Sequence, residues 1–474
     1  MPRMTLLLGL LLFFPVQLRA QGVELLSPDV LEYVTVPEAV VALTGVRMVD
    51  GTGAPAQDGW TIVFQNGEIT GVGADGQVEI PANARVLNLP GHTVIPGMVG
   101  MHNHTYYSFG PRSVQMSYTG PRLYLAGGVT TIRTAGAQHP YAELSMKRGV
   151  EDGLVPGPRV HASGPYVSGA VGPGSATSSL MSEEDAQRVV RYWAQEGATW
   201  LKASGGISRA VLGAAIDEAN RQGISFTGHL CSVTFREAAA LGIHNLEHGL
   251  ITNSDHIPDK EPDVCPPDNM VRQVEVDVYG EEVRETFRTL VEHGVAVTST
   301  LSVYELFVPD RAPLDPRVMD ALAPEAQDEL RKFRADLEAW SLGLVVPTLL
   351  FQKMLQWDRE FVRDGGHLVA GVDPWGNGSL PGYGDQRNYE LLVEAGFTPE
   401  EAVRVMTLNG AILLKEDHLY GSIQVGKRAD LAVVRGDLVA NPADIRNMTL
   451  VFRDGVGYDP ARLEASVRGQ VGIR

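Results

Sequence analysis

The stretch Val94-Ile-Pro-Gly-Met-Val-Gly-Met-His-Asn-His104 decides how this chain is read. An apolar run from Thr93 to Met101, opening with Pro96-Gly97, predicts a strand, and it leads into two histidines at i and i+2, His102 and His104. Side chains on a strand alternate faces, so the two imidazoles point the same way. In a closed barrel that shared direction is the lumen, where both can grip one cation. An isolated His-x-His is more often a solvent-facing or hydrogen-bonded pair, so its reading turns on what stands downstream.

Downstream of His104 the chain runs through a series of strand–helix units, the pattern of a parallel sheet. Val129–Thr134, Arg159–Ser163, Thr199–Ala203, Ile224–His229, Ile243–Glu247, Val295–Thr300 and His367–Val372 read as further strands. With the His102 strand they make eight, and a (β/α)8 TIM-type barrel over 97–410 is the expected α/β fold. Helical patterns such as Glu183–Gln195 and Arg209–Gln222 stop at Gly197 and Gly223, the residue type that ends helices in the left-handed conformation. Short β-rich runs at 38–96 and again at 411–456, separated by turn signals such as Asn66-Gly67 and Asp75-Gly76, predict one small β-sandwich domain made from both ends of the chain. Two polar excursions, 251–281 and 301–352, leave the C-terminal ends of their strands, where lids and substrate walls are built.

A length of 474 residues suits a barrel with an accessory domain, and 44% hydrophobic residues with 52 glycines suit a globular enzyme. A formal charge of −18 argues against nucleic acid or an anionic membrane surface as partner. Residues 1–20 are a separate object: Arg3, an apolar run from Thr5 to Leu18, then Ala20 before Gln21. They read as a secretory signal peptide, too short for a bilayer span, so the expected location is periplasmic or extracellular, with no membrane insertion after cleavage. Cys231 and Cys265 both fall on the expected mouth side of the barrel, and in an exported protein they can form a disulfide that ties the 251–281 excursion across the site.

Lys202, His229, His248 and Asp373 stand at or next to the C-terminal ends of their predicted strands, as His102 and His104 do. Each alone has a bland reading: a surface lysine, a satisfied core histidine, an aspartate capping a turn before Pro374. Together they occupy the same relative place in a β/α repeat, the place that converges on a barrel's mouth. Imidazole and carboxylate are zinc-type ligands.

With these pieces, and with Leu201-Lys-Ala-Ser-Gly-Gly206, Gly228-His229, Leu246-Glu-His-Gly249, Gly371-Val-Asp373 and Gly421-Ser-Ile-Gln-Val-Gly-Lys-Arg-Ala-Asp-Leu431, the chain resembles the amidohydrolase superfamily over roughly 38–456. The nearest branch is that of imidazolonepropionase-like hydrolases and metal-dependent Xaa-Pro dipeptidases. The resemblance implies two divalent metal ions, zinc first among them. His102, His104 and Asp373 would hold one ion and His229 and His248 the other, bridged by Lys202 N-carboxylated by CO2. An ammonium is cationic and donor-only and cannot sit between two cations, whereas a carbamate can. The implied reaction is hydrolysis of an amide, cyclic amide or peptide C–N bond by metal-activated hydroxide, with Asp373 as proton shuttle.

The sequence departs from the dipeptidases where they carry a tyrosine two residues after the strand-five histidine; here that residue is Cys231. Tyr106, Arg112, Tyr166, Arg209 and Trp375, on loops leaving the strands, are candidate substrate contacts, the arginines as partners for a carboxylate. Two other functions stay open: a mononuclear deaminase or imidazolonepropionase-like hydrolase, and a non-catalytic exported binding protein. The substrate, a small molecule or dipeptide, and any homo-oligomer are not specified by these motifs.

Overall fold

The computed structural model describes residues 22–109, 112–170, 177–309, 311, 314–341 and 345–473. The expected signal segment, 1–20, lies outside the described residues. The fold is mixed α/β, with helices of varied length set around parallel strands and a further sheet drawn from the two ends of the chain.

The parallel strands fall into two sheets. Arg159–His161, Val129–Thr134 and Met98–Asn103 form a three-stranded sheet. Ser178–Ser179, Ser163–Ser168, Trp200–Ala203, Ser225–Gly228, Asn245–Glu247, Ala296–Ser299 and Leu368–Ala370 form a seven-stranded one, in that order. Two backbone contacts join the sheets: a parallel bridge between Ala137 and Pro165, and a hydrogen bond from Asp373 N to His102 O at 2.9 Å. The second join demands a glycine, because a Cβ on Gly371 would sit 2.1 Å from His102 N. Met98–Asn103, Val129–Thr134, Trp200–Ala203 and Ala296–Ser299 are buried at every position, as strands of a sheet covered on both faces must be.

The helices begin and end on local chemistry. Ser182 and Ser208 accept from Asp185 N and Val211 N to cap Glu183–Glu196 and Arg209–Gln222. Both helices stop at glycines with positive φ, Gly197 and Gly223.

Two expected strands are redrawn. The run Thr93–Met101 is not one strand: His92–Pro96 belongs to a different sheet from Met98–Asn103. The chain crosses between them at Gly97, whose N–H donates to Asp430 O and whose missing Cβ would lie 2.2 Å from Thr130 Oγ1. Similarly, the third strand breaks at Ala162 and resumes as Ser163–Ser168, so that its two halves pair in different sheets.

His92–Pro96 joins a nine-stranded sheet drawn from both ends of the chain, with Val34–Val36, Val40–Met48, Gln57–Gln65, Glu68–Ala74 and Arg85–Asn88 from one and Leu431–Arg435, Met448–Arg453 and Val456–Tyr458 from the other. Its core packs Val41, Leu43, Ile62, Phe64, Val433 and Phe452. A short hairpin, Tyr106–Phe109 with Arg112–Gln115, follows the first parallel strand; its residues show no alternation that would have marked it. Among the described residues no helix is long and apolar enough to cross a membrane.

Candidate active site

At the C-terminal ends of the parallel strands lies a cavity of about 490 Å³, lined at one end by His104, Lys202, His229, His248 and Asp373. His102 stands directly behind, with Nε2 3.0 Å from Lys202 Nζ and 3.4 Å from Asp373 Oδ1. His104 Nε2 lies 3.1 Å from the same carboxylate oxygen, and His248 Nδ1 lies 3.8 Å from Oδ2. The rings of His229 and His248 approach edge to face at 4.6 Å, and those of His102 and His248 lie tilted at 4.6 Å. All six side chains singled out from the sequence therefore converge, although 271 positions separate the first from the last (102 to 373).

Strand geometry explains the convergence. His102 and His104 share a face, while Asn103 between them turns away and donates to Arg133 O at 3.3 Å. His248 and Asp373 both hold left-handed backbone conformations, φ 71° and 48°. For residues other than glycine that conformation costs about 1 kcal/mol or more, and such strain concentrates where a side chain must be aimed.

Electrostatics follow from burial. Removal from water pushes His104 and His229 down to about 4 and His248 further, so all three are neutral imidazoles with lone pairs to donate. Burial also pushes the Lys202 ammonium down to about 8, which brings the free amine, the nucleophile that CO2 requires, within reach near neutral pH. Burial alone would raise Asp373, but His102 and His104 outweigh it and hold the carboxyl well below its usual range.

A deeper layer orients these groups. His102 Nδ1 meets Glu247 Oε2 at 2.7 Å, and His248 Nδ1 meets Thr300 Oγ1 at 2.7 Å. Glu247 is fully buried and is shared among Thr227 Oγ1 at 2.6 Å, Asn245 Nδ2 at 3.2 Å and Arg133 Nη2 at 2.9 Å. Burial opposes its ionisation, yet Arg133 and His102 hold it well below the usual carboxylate range. Neither Glu247 nor Arg133 was a candidate from sequence. The signal was present, since each is a charged residue inside a predicted buried strand, where charges occur only in pairs. A carboxylate accepting from Nδ1 fixes the tautomer that leaves Nε2 free as a ligand.

Candidate substrate contacts divide. Tyr106, Tyr166 and Trp375 line the cavity. The Tyr106 and Tyr166 hydroxyls meet at 2.7 Å, and Tyr166 Oη lies 3.2 Å from His104 Nε2. The two arginines expected at the substrate do not line this cavity. Arg112 Nη1 reaches Glu325 at 3.2 Å, and Arg209 is held by Glu237 at 2.9 Å and Asp263 at 3.2 Å. The structure joins Cys231 and Cys265 in a disulfide, and both line the cavity, so the 251–281 excursion is pinned to the loop after His229.

The residues present fit a divalent cation. His102, His104 and Asp373 each offer one ligand atom, all within 4.8 Å of one another. The neutral imidazole of His104 and the ionised carboxylate of Asp373 are in the protonation states that ligation requires.

Comparisons with known proteins agree with this geometry. The amidohydrolase family model matches residues 93–341 and 360–456. The chain is 31% identical to the enamidase of Eubacterium barkeri over 87 residues, a match that spans 18% of this chain and 22% of that relative. Among solved structures it is similar to a putative prolidase from Bifidobacterium longum (TM-score 0.66, 23% identity, 91% of this chain and 100% of that one). It is also similar to a Xaa-Pro dipeptidase with bound methionine in the active site (TM-score 0.65, 18% identity, 89% and 100%) and to the A. niger ochratoxinase (TM-score 0.64, 18% identity, 91% and 99%).

Proposed function

The chain belongs to the amidohydrolase family, and from that premise we propose that it is a metal-dependent hydrolase of an amide, cyclic amide or peptide bond. The observation that carries the reading is the cavity itself: His104, Lys202, His229, His248 and Asp373 share one wall, with His102 in contact behind. The two parallel sheets, joined at Ala137–Pro165 and Asp373–His102, are read as one (β/α)8 barrel over 97–410, with the nine-stranded sheet as the accessory domain.

His102, His104 and Asp373 would hold one divalent ion and His229 and His248 a second, with Lys202 carboxylated as the bridge. Zinc suits this donor set. Divalent ions so placed supply Lewis acidity, acidifying water and polarising a carbonyl. The remaining work belongs to the chain. Asp373, kept ionised by His102 and His104, accepts a proton from the attacking water and returns it to the leaving nitrogen. Burial keeps the Tyr166 hydroxyl protonated, a donor for a carbonyl oxygen near His104. Glu247 orients His102, and Thr300 orients His248.

A second reading keeps a single ion, because only His102, His104 and Asp373 gather as a tight three-ligand cluster among the described residues. Metal analysis of the purified protein separates the two: about two ions per chain for the first, one for the second. Chelation should abolish hydrolysis and added zinc restore it, with Asp373→Asn inactive even when zinc is supplied in excess. Protein that hydrolyses amides at full rate after exhaustive chelation would exclude both readings. The N-terminal segment 1–20 supports export to the periplasm or the exterior, tested by the N-terminus of the mature protein.

A further inference from the structure

Beyond the cluster of candidate ligands, the cavity has a different chemistry. Trp375, Phe307, Met270, Ile251 and Val346 line it, together with the Cys231–Cys265 disulfide. The Trp375 and Phe307 rings lie 5.6 Å apart, and Phe307 continues to Tyr304 at 6.5 Å, so the wall is a run of aromatic faces ending beside His248. Thr252 and Asn269 on this side are engaged with main chain, which leaves the neutral Tyr304 hydroxyl beside His248. Thr252 Oγ1 donates to Glu247 O at 2.7 Å, and Asn269 Nδ2 to Ile251 O at 3.5 Å.

Among the described lining residues Lys202 is the sole lysine or arginine, and it stands at the ligand end against His102. Other cations on the neighbouring loops are committed. Arg209 is held by Glu237 and Asp263, Arg311 by Glu305 and Glu394, and Lys260 Nζ by the Ser232 carbonyl. The residues between 22 and 473 that lie outside the description include no lysine, arginine or histidine by sequence, so they add no cation. A carboxylate moved from water into such surroundings without a charged partner is strongly disfavoured. Arginine and lysine are the side chains that give a carboxylate a charged partner, this part of the wall supplies neither, and the chain's formal charge of −18 adds a general repulsion of anions.

We propose that this cavity selects neutral substrates, amides whose leaving group or acyl group is aromatic or branched apolar, and rejects those that carry a free carboxylate, as an ordinary dipeptide does. The proposal rests on the reading of the cavity as the hydrolytic site, and it names the substrate class of that site. A volume of about 490 Å³ accommodates a ring and an acyl chain together.

The test uses a matched pair of equal size, a phenylacetyl 4-toluidide and the corresponding 4-carboxyanilide, which differ in a methyl against a carboxylate. Calorimetry measures binding to the intact protein both metal-loaded and chelated, and steady-state kinetics measures hydrolysis. The toluidide is expected to bind at least about tenfold more tightly in both forms and to show a kcat/KM at least about tenfold higher. Met270→Arg, or Trp375→Arg on the exposed face of the wall, should shrink or invert that ratio by giving the carboxylate a partner. Equal or tighter binding of the carboxyanilide to the unmodified protein would overturn the proposal, as would failure of the toluidide to bind. Selective binding of the toluidide with no hydrolysis of either compound upholds the ligand class and removes the hydrolytic reading instead, so the two fail separately.

Discussion

Replacing Glu247 by Gln is the sharpest single probe of how the centre is built. The carboxylate is fully buried and touches His102 Nδ1 at 2.7 Å on one side and Arg133 Nη2 at 2.9 Å on the other. Arg133 is itself fully buried, its guanidinium 4.8 Å from the centroid of the Trp200 ring, and none of Nε, Nη1 and Nη2 has an acceptor in hydrogen-bond geometry, so Glu247 holds it as an ion pair. Glutamine keeps the shape and removes the charge. The guanidinium would then be a buried cation with no counter-ion, a condition that costs about 3–5 kcal/mol. The amide also has one oxygen where the carboxylate has two. If its NH2 faces His102 Nδ1, the imidazole must move its proton to Nε2 and lose the lone pair aimed at the ligand cluster. If the amide turns over, the NH2 faces Arg133, Thr227 and Asn245 instead. Either way one donor opposes another. The expected result is a loss of about 3–5 kcal/mol in chemical denaturation of the chelated protein, and a fall of about 10–100-fold in zinc affinity by competition with a chromophoric chelator. Pairing Glu247→Leu with Arg133→Met removes both charges and should return most of the stability but not the zinc affinity, since His102 still lacks its acceptor. An E247Q protein within about 1 kcal/mol of the parent, with unchanged zinc affinity, would refute the reasoning.

The same geometry sets further outcomes. Cys231 and Cys265 are 34 positions apart, so the double serine variant should lose roughly 4 kcal/mol against the oxidised parent through unfolded-chain entropy, read as a lowered denaturation midpoint that reductant produces in the parent alone. Burial raises the Asp358 carboxyl to about 7 against an unfolded value near 4, so its stabilising contribution is complete below the unfolded value and is lost as pH rises through the folded one. Asp358→Asn should therefore gain on the parent as pH goes from 4 to 8, by on the order of 3 kcal/mol if Ser299 keeps its hydrogen bond; a difference independent of pH would contradict the assignment. His104, His229 and His248 have the opposite sign: their folded values are depressed, so chelated protein should lose stability as pH falls from about 6.5 toward 4, while zinc-saturated protein resists the loss until zinc is released. Arg209→Ala should leave kcat/KM within about twofold, because its guanidinium is held by Glu237 and Asp263 outside the cavity; a collapse of activity would return it to the substrate.

Which six side chains stand at the strand ends was legible in the sequence alone, because those signals are local, whereas the bounds of the first and third strands were not. Strand alternation aims His102 and His104 together, and repeated strand–helix units with helices ending at Gly197 and Gly223 put Lys202, His229, His248 and Asp373 at equivalent strand ends. What depended on contacts between distant segments was decided only by the tertiary structure. The crossing at Gly97 from one sheet to the other depends on Asp430 and Thr130, which no run of apolar residues around it reveals. Arg133 and Glu247 were each visible as a charge in a buried strand, but their pairing, and its hold on His102, exists only once strands 114 positions apart (133 to 247) are packed. Arg112 and Arg209 had the right chemistry on the right loops, and the fold paired them with the carboxylates of Glu325 and Glu237. A side chain's direction is set by its own backbone, whereas its partner is chosen among all groups the fold brings within reach, and that second choice is written nowhere in the neighbouring residues.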